Sequence, residues 1–126
     1  MGFPFGSRWI GIAGAVLLVV IAVATLMPAG WQVRLGLHWL VEHFLAYVTV
    51  TALFCLAWPR SMVVAAVLIP FAILLEALQG LTPDRVADFP TALFAAAGVA
   101  SAALLADLAI TLRKRARIGA AARRKA

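Results

Sequence analysis

Long apolar runs constrain the fold of this chain more than any other feature of its sequence. Four of them cover about 9–27, 37–58, 62–79 and 90–112, each close to the roughly 20 residues that a helix needs to cross a bilayer. Hydrophobic residues make up 65% of the 126 residues and charged residues only 13%. A soluble domain is about half apolar and about a quarter charged. The sequence therefore predicts an all-α protein, a four-helix transmembrane bundle over 1–112.

The first apolar run allows two interpretations. Arg8 and Trp9 precede it in the manner of an interfacial anchor, and Pro28 and Gly30 end it. A cleaved signal peptide is the alternative, because a basic residue comes before the run and small residues follow it. The run is longer than the roughly 7–15 apolar residues of a signal peptide. We therefore expect a retained membrane-spanning helix.

Basic residues are concentrated at the C-terminal end. Seven of the eleven lie between Arg113 and Lys125, beyond the last apolar run, within a net charge of +6. Anionic lipid headgroups attract such a juxtamembrane cluster by roughly 1 kcal/mol per basic residue. We therefore expect the tail 113–126 to meet membrane lipids, to be helical at first and frayed after Gly119, and to bind no nucleic acid.

The same distribution predicts the orientation. Four spans place both termini on one side of the membrane, and that side collects nine basic residues, among them Arg8 and Arg60. The other side has two, Arg34 and Arg85. Because cytoplasmic segments carry the excess of basic residues, both termini and the tail are predicted to be cytoplasmic. The connections around Arg34 and Asp84 are then expected to face outward.

Polar residues interrupt the apolar pattern near the outer ends of the second and third spans. The candidate binding residues are Glu42, His43, Tyr47, Glu76, Gln79, Arg85 and Asp88. Residues three or four apart share a helix face, so His43 and Tyr47 form one stripe and Glu76 and Gln79 another. Ionisable groups within a membrane usually face the bundle interior. We therefore expect these side chains to meet at one depth beneath the outer surface.

The sequence leaves several roles open for this cluster. It could be an acid/base constellation or proton relay, since imidazole and carboxylate groups exchange protons. It could be an interhelical clasp in which His43 or Tyr47 bonds Glu76 or Gln79. It could also bind a ligand, with Arg85 holding an anionic headgroup or instead forming a salt bridge within its loop. No nucleotide loop, nucleophile motif or diagnostic metal-ligand spacing is present, so we expect no catalysis, no metal and no cofactor.

The sequence also predicts how the third and fourth spans pack. Pro70 lies inside the third run, where a proline kinks a membrane helix rather than ending it. Gly98 and Ala102 are small residues at spacing four, which lets two helix backbones approach closely. Asp107 lies near the inner end of the fourth run. It could face the bundle or pair with Arg113 or a neighbouring basic residue, and we expect the pairing.

The chain resembles the VanZ-like family of small integral membrane proteins. The resemblance rests on the sequences VEHFLAY at 41–47, LEALQ at 75–79 and TPDR at 82–85, in this order and within a four-span layout. It covers about the middle half of the chain. The positions that match the pattern of the family are His43, Tyr47, Glu76, Gln79, Arg85 and Gly98.

Four polar positions of the family pattern are occupied here by Trp39, Leu40, Thr91 and Ala95. We therefore expect a divergent, non-catalytic member. The resemblance implies a multi-pass protein of the bacterial cytoplasmic (inner) membrane, in a family linked to glycopeptide (teicoplanin) antibiotic resistance. The clustering of the polar residues at one depth favours binding of an envelope lipid or amphiphile at the outer corner. Two alternatives remain: an accessory structural subunit of a larger energy-transducing membrane complex, with other membrane subunits as partners, and a small proton-coupled exporter.

Overall fold

The computed structural model describes residues 5–32, 34–82 and 86–126, and most of them are helical. The α-helices are α1 (Phe5–Leu26), α2 (Trp39–Ala57), α3 (Ser61–Gln79) and α4 (Phe89–Lys125), with a short 3-10 turn at Ala29–Trp31. The described residues include no β-strand. The prediction of an all-α, four-helix bundle is confirmed.

All four helices are long and apolar enough to cross a membrane. Their outward faces carry large apolar side chains, and Val19, Val67 and Leu105 are each more than 60% exposed. Contiguous apolar surface of this extent is unstable in water but is solvated by lipid chains. The chain is therefore a multi-pass membrane protein.

A close contact between α2 and α4 organises the bundle. A Cβ atom placed on Gly98 of α4 would lie only 2.6 Å from the backbone oxygen of Phe44 in α2. The glycine thus removes the side chain that would hold the two backbones apart. Ala102 and the fully buried Val50 and Val99 continue the same tight packing. The predicted role of Gly98 in letting two helix backbones approach closely is confirmed, and Ala102 is buried one turn further along α4.

Contacts between α1 and α2 fix how the helix ends align. The space beside Gly11 of α1 is filled by Ala57, and the space beside Gly14 by Leu53 and Phe54. The start of α1 therefore lies level with the end of α2. The connection 58–60 between α2 and α3 lies at this end, which we call the turn end.

Helix α4 is longer than the sequence predicted. It continues through Gly119 to Lys125, where fraying was expected. The segment after the membrane span consists mainly of alanine, arginine and lysine, which have high helix propensity, and it extends a helix that is already formed. At 1.5 Å per residue, α4 is about 55 Å long, against roughly 30 Å of hydrocarbon.

The interaction expected for Asp107 is different in the structure. The Ser61 hydroxyl, at the buried start of α3, donates a hydrogen bond to Asp107 Oδ1 at 3.2 Å. The pairing with Arg113 does not form, because α4 turns the Asp107 face toward α3. Helix α3 runs unbroken through Pro70, so this proline does not end it, as predicted.

Candidate functional site

A pocket of about 370 Å³ lies at the opposite end of the bundle from the α2–α3 turn, where α2 begins and α3 ends. We call this the pocket end. Of the seven predicted residues, six line the pocket wall: Glu42, His43, Tyr47, Glu76, Gln79 and Asp88. The seventh, Arg85, lies outside the described residues, as do Pro83 and Asp84 of the same motif.

Glu42 holds the connection between α1 and α2 against the first turn of α2. Its Oε1 atom accepts hydrogen bonds from the backbone N–H groups of Leu35 at 2.9 Å and Leu37 at 3.3 Å. Gly36 between them has a φ of 84°, in the left-handed region that glycine adopts without strain. This conformation turns two nearby N–H groups toward one anion. The sequence pattern carries no signal for this backbone arrangement.

His43 bonds within its own helix. A carbonyl oxygen can only accept, so the hydrogen bond of 2.9 Å between His43 and the Trp39 backbone requires Nδ1 to be the donor. In a neutral ring, Nε2 then retains its lone pair. The edge of the ring also meets the Trp39 indole, with centroids 6.4 Å apart. No hydrogen bond joins His43 to the described residues of α3, so the clasp through this side chain that the sequence allowed is not present there.

Gln79 links α3 to α1. Its Nε2 atom donates to the backbone oxygen of Thr25 at 2.8 Å, in a buried position. The last four carbonyl groups of a helix lack partners within the helix, and Thr25 is near the end of α1. The side chain of Gln32 satisfies Ala24 in the same way, at 2.8 Å. Gln79 therefore joins α3 to α1 through a backbone carbonyl group, rather than to His43 or Tyr47 of α2 as the predicted clasp required, and residue types do not reveal such an acceptor.

Glu76 connects α3 to the beginning of α4. The side chain is only 6% exposed, and its Oε1 atom accepts a hydrogen bond of 3.1 Å from the backbone N–H of Asp88. The Asp88 carboxylate in turn accepts a hydrogen bond of 3.0 Å from the Thr91 hydroxyl, one turn into α4. Both carboxylates thus order the wall of the pocket as well as supplying its charge.

Tyr47 is the deepest polar group of the wall. It is 2% exposed, packs beside Gly98 and lines the pocket. Its hydroxyl forms no hydrogen bond with any part of the chain that the structure describes. The Glu76 carboxylate is close enough to act on it electrostatically. Buried hydroxyl groups normally have a partner, so this one is available to a molecule in the pocket.

The wall combines opposite charges with apolar surface. Glu42, Glu76 and Asp88 contribute carboxylates, and Arg34 contributes a guanidinium group that the sequence analysis used only to predict orientation. Deeper along the helices, apolar residues such as Ile21 and Ala46 share the wall with Tyr47 and Glu76. Among the described residues, no three His, Cys, Asp or Glu side chains are grouped so that they could hold a metal ion.

No protein-family model, curated protein or solved structure matches this chain. Fold and pocket together define its class: a four-helix, multi-pass membrane protein with a polar pocket at one end.

Proposed function

We propose that this chain is a divergent VanZ-like protein of the bacterial cytoplasmic membrane and that its pocket binds the headgroup of an envelope lipid or a similar amphiphile, without catalysis. The VanZ-like assignment and the bacterial membrane rest on the sequence motifs. The outward orientation of the pocket rests on the distribution of basic residues. The binding proposal rests on the pocket itself.

The observation that carries the binding proposal is the change of character along the pocket. Near the helix ends the wall offers charged groups, such as Glu42 and Arg34, and about one turn deeper it offers apolar groups, such as Ile21. An amphiphile has the same succession of a polar head and an apolar body. Ligand pockets typically combine mostly apolar walls with a few polar groups that fix orientation.

Hydrogen-bonding capacity at the wall also supports a ligand rather than a purely structural cluster. The Tyr47 hydroxyl can donate, and Glu42 Oε2 can accept, without breaking a bond to the described residues. A cluster that served only to join helices would be expected to use these atoms internally, because unpaired polar atoms are costly in a membrane.

The decisive variant is Tyr47→Phe, tested by mass spectrometry of lipids that co-purify with the protein in mild detergent. The change removes a hydroxyl that bonds nothing in the described chain, so we expect unchanged stability and at least about a fivefold loss of the bound amphiphile, the value of about one hydrogen bond. Equal retention of the amphiphile by wild type and Tyr47→Phe would contradict the proposal.

Thr51→Val is the matched control. Thr51 lies one turn further along α2 and is fully buried. Its hydroxyl also has no hydrogen-bond partner in the described parts of the chain, but it is outside the pocket. We expect this variant to retain the amphiphile. In cells, Glu76→Gln and Arg85→Ala should each reproduce the envelope or antibiotic-sensitivity phenotype of a deletion. Normal phenotypes together with stoichiometric protein partners after purification would instead favour the accessory-subunit alternative.

A further inference from the structure

A second cavity, of about 290 Å³, lies near the turn end between α1, α2 and α3. We call it the Arg60 groove. Its wall is apolar along its length and ends at one basic side chain, Arg60. The apolar residues used below are Leu18, Phe54, Trp58, Val64, Val67 and Leu68. None of the candidate residues of the pocket end takes part in it.

The dimensions of the groove match one leaflet of a bilayer. The groove follows α3 from Arg60 to Leu68, which is about 12 Å at 1.5 Å per residue. A leaflet contributes about half of the roughly 30 Å of hydrocarbon. On the opposite side, Leu18 of α1 completes the wall. An extended acyl chain therefore fits along the groove, with its headgroup end at Arg60.

The end of the groove has the chemistry of a headgroup site. Arg60 is exposed, and its side chain forms no ion pair with the described residues. Beside it, the rings of Phe54 and Trp58 stack in parallel, with centroids 6.1 Å apart and an angle of 3° between their planes. An indole ring is stable at the membrane interface, and a guanidinium group binds phosphate through two parallel hydrogen bonds.

A second copy of the chain is a poor match for this groove. Among the described acidic residues, Glu42, Glu76 and Asp88 line the pocket at the opposite end of the bundle, and Asp107 accepts a hydrogen bond from Ser61. Of these residues, a parallel copy would present only Asp107 at the level of Arg60, and one oxygen of that carboxylate already accepts the hydrogen bond from Ser61. A lipid leaflet presents a phosphate group at that level in every phospholipid.

We propose that the Arg60 groove binds a phospholipid of net negative charge, with its phosphate on the Arg60 guanidinium group and one acyl chain along Leu18, Val64 and Leu68. The site is independent of the pocket and of its proposed ligand. A zwitterionic phospholipid also has a phosphate, but its ammonium group cancels the charge, so Arg60 favours the anionic lipid.

Fluorescence quenching by brominated lipids tests the proposal, because Trp58 lines the groove. The full chain carrying Trp9→Phe, Trp31→Phe and Trp39→Phe keeps Trp58 as its single tryptophan. It is placed in phosphatidylcholine bilayers that contain a fraction of phosphatidylglycerol, with acyl-chain bromine on one lipid or the other. We expect the relative binding constant to favour phosphatidylglycerol by about fivefold, as one basic residue near a headgroup provides.

Arg60→Gln should abolish this preference, giving a relative binding constant of about one, because it removes the positive charge that attracts the anionic lipid. Arg8→Gln is the matched control, since Arg8 precedes Gly11 by one turn, lies level with the turn end and is outside the groove. It should retain the preference. Val67→Phe narrows the groove with Arg60 intact and should lower quenching by both lipids.

Three results would overturn the proposal: no preference in the parent protein, an unchanged preference in Arg60→Gln, or weak quenching by both lipids with cross-linking of two copies through Val67→Cys. The last result would mean that protein covers the groove. If the triple tryptophan variant does not fold, the difference in quenching between wild type and Trp58→Phe gives the same comparison.

Discussion

The charged groups at the two ends of the bundle differ in whether the described chain supplies their bonding partners. At the pocket end, Glu42 and Glu76 accept hydrogen bonds from backbone N–H groups of the connecting segments. At the turn end, the Arg60 side chain forms no ion pair in the described structure. The connections 27–38 and 80–88 are long, whereas 58–60 is short. A long connection can fold back over the helix ends, so that its backbone N–H groups reach the carboxylates there. The short connection 58–60 does not fold back in this way, and it leaves the Arg60 side chain exposed.

This difference teaches that carboxylates in an apolar bundle can organise structure and still form a binding wall. One oxygen of Glu42 orders the connection, and the other remains available to a ligand. The basic group at the turn end has no such internal role among the described residues, and the proposed partner of Arg60 is a lipid phosphate group.

Gly98→Ala should have the largest effect on stability. The new Cβ atom would lie 2.6 Å from the Phe44 backbone oxygen, so α2 and α4 must move apart. Overpacking of this kind costs about 1–3 kcal/mol. Gly11→Ala near the turn end is the control, because its Cβ atom would meet Ala57 at an ordinary 3.5 Å. Reversible unfolding in mixed micelles measures both free energies; equal effects would contradict the special role of the α2–α4 contact.

Glu76→Ala should destabilise the protein by about 1–3 kcal/mol, because the backbone N–H of Asp88 loses its acceptor at a buried position. Glu76→Gln keeps an acceptor oxygen and should cost less than half as much. At the turn end, Asp107→Asn preserves an acceptor for the Ser61 hydroxyl and should cost less than about 0.5 kcal/mol. Comparable losses for Ala and Gln at position 76 would show that charge, rather than the hydrogen bond, stabilises this end.

Gln79→Leu should have the smallest effect. It removes the hydrogen bond from Gln79 to the Thr25 backbone, which joins α3 to α1. Interhelical bonds of this type contribute about 0.6 kcal/mol in membranes. Thr49→Val is the control, since the Thr49 hydroxyl bonds only Leu45 within α2 and is exposed to lipid. A cost for Gln79→Leu no greater than that of the control would mean that packing alone holds α1 in place.

The sequence predicted the shared location of the polar side chains but not their partners. Helical periodicity grouped His43 with Tyr47 and Glu76 with Gln79, and all four line one pocket. Their actual partners, where the structure gives them, are mostly backbone groups, such as Thr25 O for Gln79. Every residue carries those groups, so residue type gives no signal for them. Arg34 also lines the pocket, because the connection between α1 and α2 places it there. The pattern of side chains along the sequence does not indicate the path of that connection.

The four membrane-crossing helices were determined by the sequence alone, because hydropathy is a local property that adds up along each segment. Tertiary structure alone decided that Ser61 meets Asp107, that the Tyr47 hydroxyl has no hydrogen-bond partner among the described residues, and that a groove opens between α1, α2 and α3. These outcomes depend on the rotation and offset of one helix against another. Many residues distributed along the chain together set the rotation and offset of each helix. The contact of Gly98 with the α2 backbone is one of the interactions that contribute.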